Sequence, residues 1–343
     1  MEEISVNPVT LYVKNVILIK FAYTIIKMNK KILGIGNAII DIFVYVNDDY
    51  LKKNNLHKGS MKLLNEDEFN KLKSNIKIKK VVAGGSAANT MVGISYLNGS
   101  SFFIGKVNND EYGKLYKKSL EEAKVKFSYI EKKETLPTGA SIILITPDSE
   151  RTMCTYLGIS SRLSADDIKK ETLLDKELIF LEGYLWDKGI SEIMFKHVIK
   201  IAKTNKIKIA MSLSDIFCVK RHKNDFLNLL KNDLDILIGN ENEIIELTNS
   251  TNLKCAVNKI KNTKKLIIIT RSENGSLAIN NSNIVECESF KVKKVLDLTG
   301  AGDLFAAGFL NQYINNQLNI KKCLNSGSIL AAKIIQKIGA RIE

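Results

Sequence analysis

The sequence predicts an α/β fold in which a mostly parallel central sheet is covered on both faces by helices, a three-layer α/β/α sandwich. Three observations carry this reading. First, apolar runs of strand length alternate with helix-like segments from Glu177 onward. The runs are Glu177–Leu181, Ile207–Leu213, Ile236–Asn240 and Leu266–Thr270, and the helical patterns lie near Glu192–Lys203, Asn224–Lys231 and Glu243–Leu247. Such alternation implies βαβ units, and near-continuous apolar strands imply burial on both faces. Second, the chain has 343 residues with 45% apolar content and no visible repeat or interdomain linker, which suits one large domain. Third, right-handed crossovers gather the loops at the C-terminal ends of the strands, and those loops carry the polar groups of interest.

Residues 1–28 read as an N-terminal extension of unknown role. Val9–Ile26 is apolar but contains Lys14 and Lys20, which argues against a membrane span. Lys31–Asp41 is a strand running into a polar end. Its Gly34-x-Gly36 lacks a third glycine and a following helix, so the dinucleotide-binding fingerprint is rejected. Asp41 stands where a carboxylate can accept two hydrogen bonds from vicinal hydroxyls. The alternative is a turn-capping Asp. Ile42–Val46 reads as strand, and Asn65–Lys73 as helix. Val81–Thr90 places Gly84 and Gly85 before a helix, with Asn89 one turn on. Gly105-Lys106 lacks the spacing and the hydroxyl residue of a phosphate-binding P-loop. Thr138–Tyr156 reads as a hairpin around Pro147-Asp148.

The most informative stretch is Val295–Leu310. An apolar lead-in ends in Thr299-Gly300-Ala301-Gly302, and a helical pattern opens at Asp303. Unpartnered amides at a helix start, bared by glycine, form an anion cradle. Asp303 at its edge is placed to accept a proton, as phosphoryl transfer requires. The bland alternative is a strand–turn–helix junction with an Asp cap.

Net charge is +14, with lysines scattered and often beside Asn. Basic residues and a repeated aromatic platform do not coincide, so the surface reads as solvated, without nucleic acid or membrane as partner. Cysteines 154, 218, 255, 287 and 323 show no disulfide or zinc spacing. A reducing, cytoplasmic setting fits. Three histidines make His-based catalysis a poor expectation.

Asp297-Leu-Thr-Gly-Ala-Gly-Asp303 closely resembles the C-terminal signature of the ribokinase-like (PfkB) sugar and nucleoside kinases, with Leu298 where Thr or Ser is commoner. Gly84-Gly85-x-x-x-Asn89 resembles the N-terminal signature, and Gly36–Asp41 the first strand. The resemblance covers roughly residues 31–343, leans to the adenosine-kinase-like branch, and implies one kinase domain over 29–343. A small β-lid would come from about 42–60 and 136–160. It implies that Asp303 is the base and that Gly300, Ala301 and Gly302 form the anion hole. Asn37, Asp41, Gly84, Gly85 and Asn89 would hold the acceptor. Tyr184, near Trp186, would face a nucleoside base, with core packing the equal alternative. Arg151 would approach phosphate, with a solvated hairpin arginine as the alternative. Asn240-x-x-Glu243 would act on Mg²⁺ through water, with a helix-capping pair as the alternative. Thr270, Arg271, Ser272 and Gly275 resemble the nucleotide loop, with Ser272 replacing a glycine, and Asn325 lies on a helix lining the adenine pocket. Asp297, Thr299 and Gly339 resemble a monovalent-cation loop for K⁺. The expected function is ATP- and Mg²⁺-dependent transfer of the γ-phosphate to a primary hydroxyl of a nucleoside, by a monomer or homodimer. The alternatives are a ribokinase- or fructokinase-like sugar kinase, and a non-catalytic ligand-binding protein on the same scaffold.

Overall fold

The computed structural model describes residues 30–128, 135–148, 150–187 and 191–342; the N-terminal extension lies outside them. A nine-stranded sheet forms the centre. Its spatial order is Asn283–Cys287, Ser276–Asn280, Leu266–Thr270, Ile236–Asn240, Lys208–Ser212, Leu178–Glu182, Lys31–Ile35, Ser100–Ile104 and Lys126–Ser128. The strands from Leu266–Thr270 to Lys126–Ser128 run parallel. Ser276–Asn280 runs antiparallel to Leu266–Thr270, and Asn283–Cys287 turns back antiparallel to Ser276–Asn280 at the sheet edge. Two apolar cores cover the two faces of the sheet. One contains Phe103, Phe180, Phe309 and Leu324, the other Phe195, Phe226, Leu237 and Ile269. The three layers and the strands from Glu177 onward are therefore as the periodicity predicts. The chain winds from Lys31–Ile35 outward in one direction, then from Leu178–Glu182 in the other. The crevice at such a reversal is where open α/β sheets take ligands.

A second, five-stranded sheet has the order Met61–Leu63, Arg151–Gly158, Thr138–Ile145, Ile39–Tyr45 and Lys80–Ala83. It contains the expected hairpin, and it also contains the strands bearing Asp41 and leading to Gly84. Residues 42–60 are not extended throughout. A helix, Asp48–Lys53, interrupts them, capped by the Asn47 side chain with acidic residues in its first turn. The expected helix after Asn65 is present as Glu66–Ser74 and opens with a capping box between Asn65 and Glu68.

The lead-in to Asp303 is not a strand. Val295, Leu296 and Leu298 are exposed, and the backbone amides of Leu296 and Asp297 donate to the Ile335 carbonyl at a helix end. The sheet has closed at its edge hairpin before this stretch, so its β-branched residues have no ladder to join. The helix itself spans Ala301–Asn315, with Gly300 as its N-cap, so it opens two residues before the predicted Asp303. Among the described residues no helix is long and apolar enough to cross a membrane.

Candidate active site

The site is assembled at the crevice by helix packing. The helix Ser86–Tyr96 follows Gly85, whose φ of +87° is disfavoured for any residue with a side chain. A Cβ there would lie 2.3 Å from the Asn37 carbonyl oxygen. Ser86, Asn89 and Gly93 share one helical face. Gly93 lets that face press on the Ala301–Asn315 helix: a Cβ at Gly93 would come within 2.7 Å of both Ala307 and Leu304. One turn and two turns earlier, the same face delivers Asn89 and Ser86 to Asp303.

Asp303 lies in the first turn of its helix. Ser86 Oγ donates to Oδ1 at 2.6 Å, and Asn89 Nδ2 donates to Oδ2 at 3.0 Å. Burial pushes the Asp303 carboxyl up, while the Ser86 and Asn89 hydrogen bonds and the Arg151 and Arg341 charges pull it down. Asp41 faces the same cleft from the second sheet. It is buried and touches Gly84 so closely that a Cβ at Gly84 would lie 2.1 Å from Asp41 Oδ2. Burial pushes Asp41 up to about 7; Arg341 and Arg151 oppose this, and Asp303 and Asp297 add to it. The structure thus brings Asn37, Asp41, Gly84, Gly85, Asn89 and Asp303 together. At Gly302 a Cβ would meet nothing within 4 Å, so the amides of this helix start border open space.

Asp297, Thr299 and Gly339 also meet. The amides of Thr299 and Gly339 and the Thr299 hydroxyl all donate to Asp297, at 2.9, 2.8 and 2.6 Å. Arg151 Nε lies 3.1 Å from Asp297 Oδ1, and Arg151 donates to Thr299 Oγ1 at 2.6 Å. The Asp297 carboxylate is therefore closed by donors and by a guanidinium, a set that does not suit a bare cation at that carboxylate. It also turns Arg151 toward the Gly300 turn.

Of the residues expected to bind the nucleotide, Asn240 and Thr270 lie at neighbouring strand ends and pair in register. Asn240 and Glu243 form the capping pair: Oδ1 of Asn240 accepts from the Glu243 amide, and both Glu243 oxygens accept from Asn240, at 2.6 and 2.9 Å. Both Glu243 oxygens are thus engaged, and among the described residues no three His, Cys, Asp or Glu side chains gather to hold a metal. This arrangement fits a metal carried by phosphates and touched through water, not one held by the protein. Ser272 adopts φ +50°, the left-handed region its replaced glycine would favour. Arg271 is turned away to Glu286 at 2.9 Å. Gly275 has φ +78°. Asn325 is exposed on the helix Ile320–Ile334.

Tyr184 is not joined to the Asp41–Asn89 group: its hydroxyl donates to Asp215 at 2.9 Å. Trp186 packs edge-on against Phe195 and Phe226 and donates to Asp225, so it takes the core-packing alternative. Two residues of the site were not singled out from the sequence. Glu182, at the end of its strand, accepts the Asn37 and Ala87 amides at 2.7 Å each, pinning the two halves of the crevice together. Burial pushes it up to about 7 against those hydrogen bonds. Its signal was a charge closing the apolar run Leu178–Leu181. Arg341 reaches Asn89, Ser119 and Gly84, and nothing in the sequence around it announces that reach.

Comparison with known proteins agrees with this geometry. Residues 62–343 match the family model described as pfkB family carbohydrate kinase. An adenosine kinase from Dictyostelium discoideum is 29% identical over 92% of this chain and 97% of its own length. A ribokinase from the same organism is 27% identical over 76% of this chain and 86% of its own. The crystal structure of adenosine kinase from Sinorhizobium meliloti superposes with a TM-score of 0.88 at 33% identity, covering 92% of this chain and 96% of that one. With signatures, fold and relatives in agreement, the chain belongs to the pfkB family of carbohydrate kinases, within its adenosine-kinase-like part.

Proposed function

We propose that this kinase transfers the γ-phosphate of ATP to a primary hydroxyl of a nucleoside, with adenosine as the acceptor. One observation carries the chemistry. A carboxylate in the first turn of a helix, Asp303, is held by Ser86 and Asn89 from the Gly84-Gly85 motif and stands beside open space at Gly302. The choice of acceptor draws on the adenosine kinases that resemble the chain over nine-tenths of its length. The aromatic pair Tyr184 and Trp186 lends it no support.

In the reaction, the acceptor oxygen forms a bond to the γ-phosphorus while the bond to the bridging oxygen breaks and ADP leaves. The acceptor's proton passes to Asp303. A loose transition state releases that proton late, so a modest base suffices. Asp41, beside Gly84, would accept hydrogen bonds from the sugar hydroxyls and orient the acceptor. The amides of the Ala301–Asn315 helix start would meet negative charge on the transferring group. Mg²⁺ bound to ATP would neutralise phosphate charge, with Asn240 and Glu243 reaching it only through water.

Asp303→Asn keeps the shape and both hydrogen-bonding contacts within reach but cannot take the proton. The expected result is a fall in kcat of about 10²–10⁴-fold with the thermal midpoint nearly unchanged. A kcat within twofold of wild type, measured with adenosine and MgATP, would remove Asp303 from the role of base.

A further inference from the structure

Arg341 joins the two acidic sides of the cleft. Its Nε donates to Asn89 Oδ1 at 3.0 Å, one terminal nitrogen donates to the Gly84 carbonyl at 3.0 Å, and the other donates to Ser119 Oγ at 2.7 Å. The guanidinium lies 5.6 Å from the centre of the buried Tyr116 ring. Arginine carries only donors. Asn89 must therefore turn its oxygen toward Arg341, which leaves its Nδ2 hydrogens for Asp303. The opposite amide orientation would set donor against donor at Arg341 and oxygen against oxygen at Asp303, leaving buried groups unpaired. The Gly84 carbonyl that Arg341 grips belongs to the residue pressed against Asp41. One side chain thus touches the supports of both carboxylates.

We infer that Arg341 is a positioning residue for phosphoryl transfer: it locks the Asn89 amide in the orientation that aims the Asp303 carboxylate, and it sets a positive charge beside Asp41 and Asp303. This rests on Asp303 as the proton acceptor. The groups facing Arg341 are Asp41 from the second sheet, Asp303 from its helix and Tyr116 from the helix Glu111–Glu122; Arg151 acts on the same two carboxylates, and Glu182 faces Tyr116. Arg341 opposes the burial that raises both Asp41 and Asp303. Its removal should move the acidic limb of kcat to higher pH.

The test compares Arg341→Gln, Arg341→Lys, Asn89→Ala, the Arg341→Gln/Asn89→Ala double variant and Asp303→Asn, using adenosine and MgATP. Arg341→Gln should lower kcat about 10- to 100-fold, the cost of a misplaced catalytic group, leave the KM for ATP within twofold, and raise the acidic limb. The double variant should lose less than the product of the two single losses, because both break one contact chain. Arg341→Lys keeps the charge without the planar fork. It should hold the acidic limb near wild type and still show a reduced kcat. The inference is overturned by a kcat within twofold of wild type in Arg341→Gln, or by losses that multiply with no movement of the limb. If Arg341→Gln does not fold, Arg341→Lys decides: full wild-type kcat there overturns the lock on Asn89. Arg341 variants of wild-type activity beside an inactive Asp303→Asn sink this inference alone; an active Asp303→Asn sinks the proposed reaction and this inference with it.

Discussion

Gly302→Ala separates what stabilises the helix from what the site needs. Gly302 is the second residue of the Ala301–Asn315 helix, its φ is not positive, and a methyl group there would meet no atom within 4 Å. Nothing in the fold resists the substitution. Glycine in a helix costs about 0.5–1 kcal/mol relative to alanine. At an early position about half of that is expected, which for a domain of this size raises the melting temperature by about 0.5 °C. The same methyl group would fill the space next to the amides proposed to meet the transferring phosphoryl group. Displacing that group by about 1 Å is enough to lower kcat by about 10²-fold. The assay pairs a thermal melt with steady-state ADP release from adenosine and ATP. The expected protein is slightly more stable and far less active. Equal activity in a protein of equal or higher stability would refute the assignment of the Gly300–Gly302 turn as the anion cradle.

Gly84→Ala should act on the other side of the cleft, because its Cβ would fall 2.1 Å from Asp41 Oδ2 and 2.4 Å from Cγ. Asp41 must move, so the KM for the nucleoside should rise at least about tenfold while the KM for ATP stays put; equal nucleoside affinity would show that Asp41 does not hold the acceptor. Stability and activity should also run in opposite directions with pH. Asp41, Glu182 and Glu243 are each pushed up to about 7 by burial, so their contribution to stability is complete below an unfolded value of about 4 and is lost as pH rises through 7. The melting temperature of the free protein should fall from about pH 5 to about pH 8 while kcat climbs, and a flat or rising melting curve over that window would contradict the buried state of these carboxyls.

The parts of the fold that obey a local rule were legible. Apolar runs marked strands such as Ile236–Asn240 and Leu266–Thr270 to the residue, because a strand buried on both faces is apolar nearly throughout and these turn polar only at their last residue. The helical pattern from Asn65 was legible, and the structure adds that the Asn65 side chain caps it, because an orphan amide needs an oxygen one turn away. Local rules failed at Val295–Leu298. Val295 and two leucines give it the apolar look of the strand in the bland alternative, yet no neighbouring strand offers a ladder, and the amides turn to the end of another helix instead. The helix Asp48–Lys53 was hidden for the opposite reason: its six residues bury only Leu51, too little for a period to show.

The site divides along the same line. Gly84-Gly85-x-x-x-Asn89 and Gly300-x-Gly302-Asp303 were readable because each is a turn feeding a helix; contacts close in space demand the glycines at Gly84 and Gly85, against Asp41 and Asn37, and at Gly300, against Ala340, while Gly302 borders open space. Asn240 and Glu243 show how a motif can satisfy a local rule, the capping box, with the same atoms that a ligand role would claim. What the linear order could not display is the coupling. Asn89 meets Asp303 across 214 residues, and Arg341 meets Gly84 across 257. A buried arginine has no pattern of its own; its position is dictated by the charges it faces. Two carboxylates raised by burial, Asp41 also by the charge of Asp303, destabilise the cleft that holds them. A sequence that places Asp41 and Asp303 in one crevice therefore requires cations there as well. Arg151 and Arg341 lower both, and of the two only Arg341 also grips the side chain that aims the base.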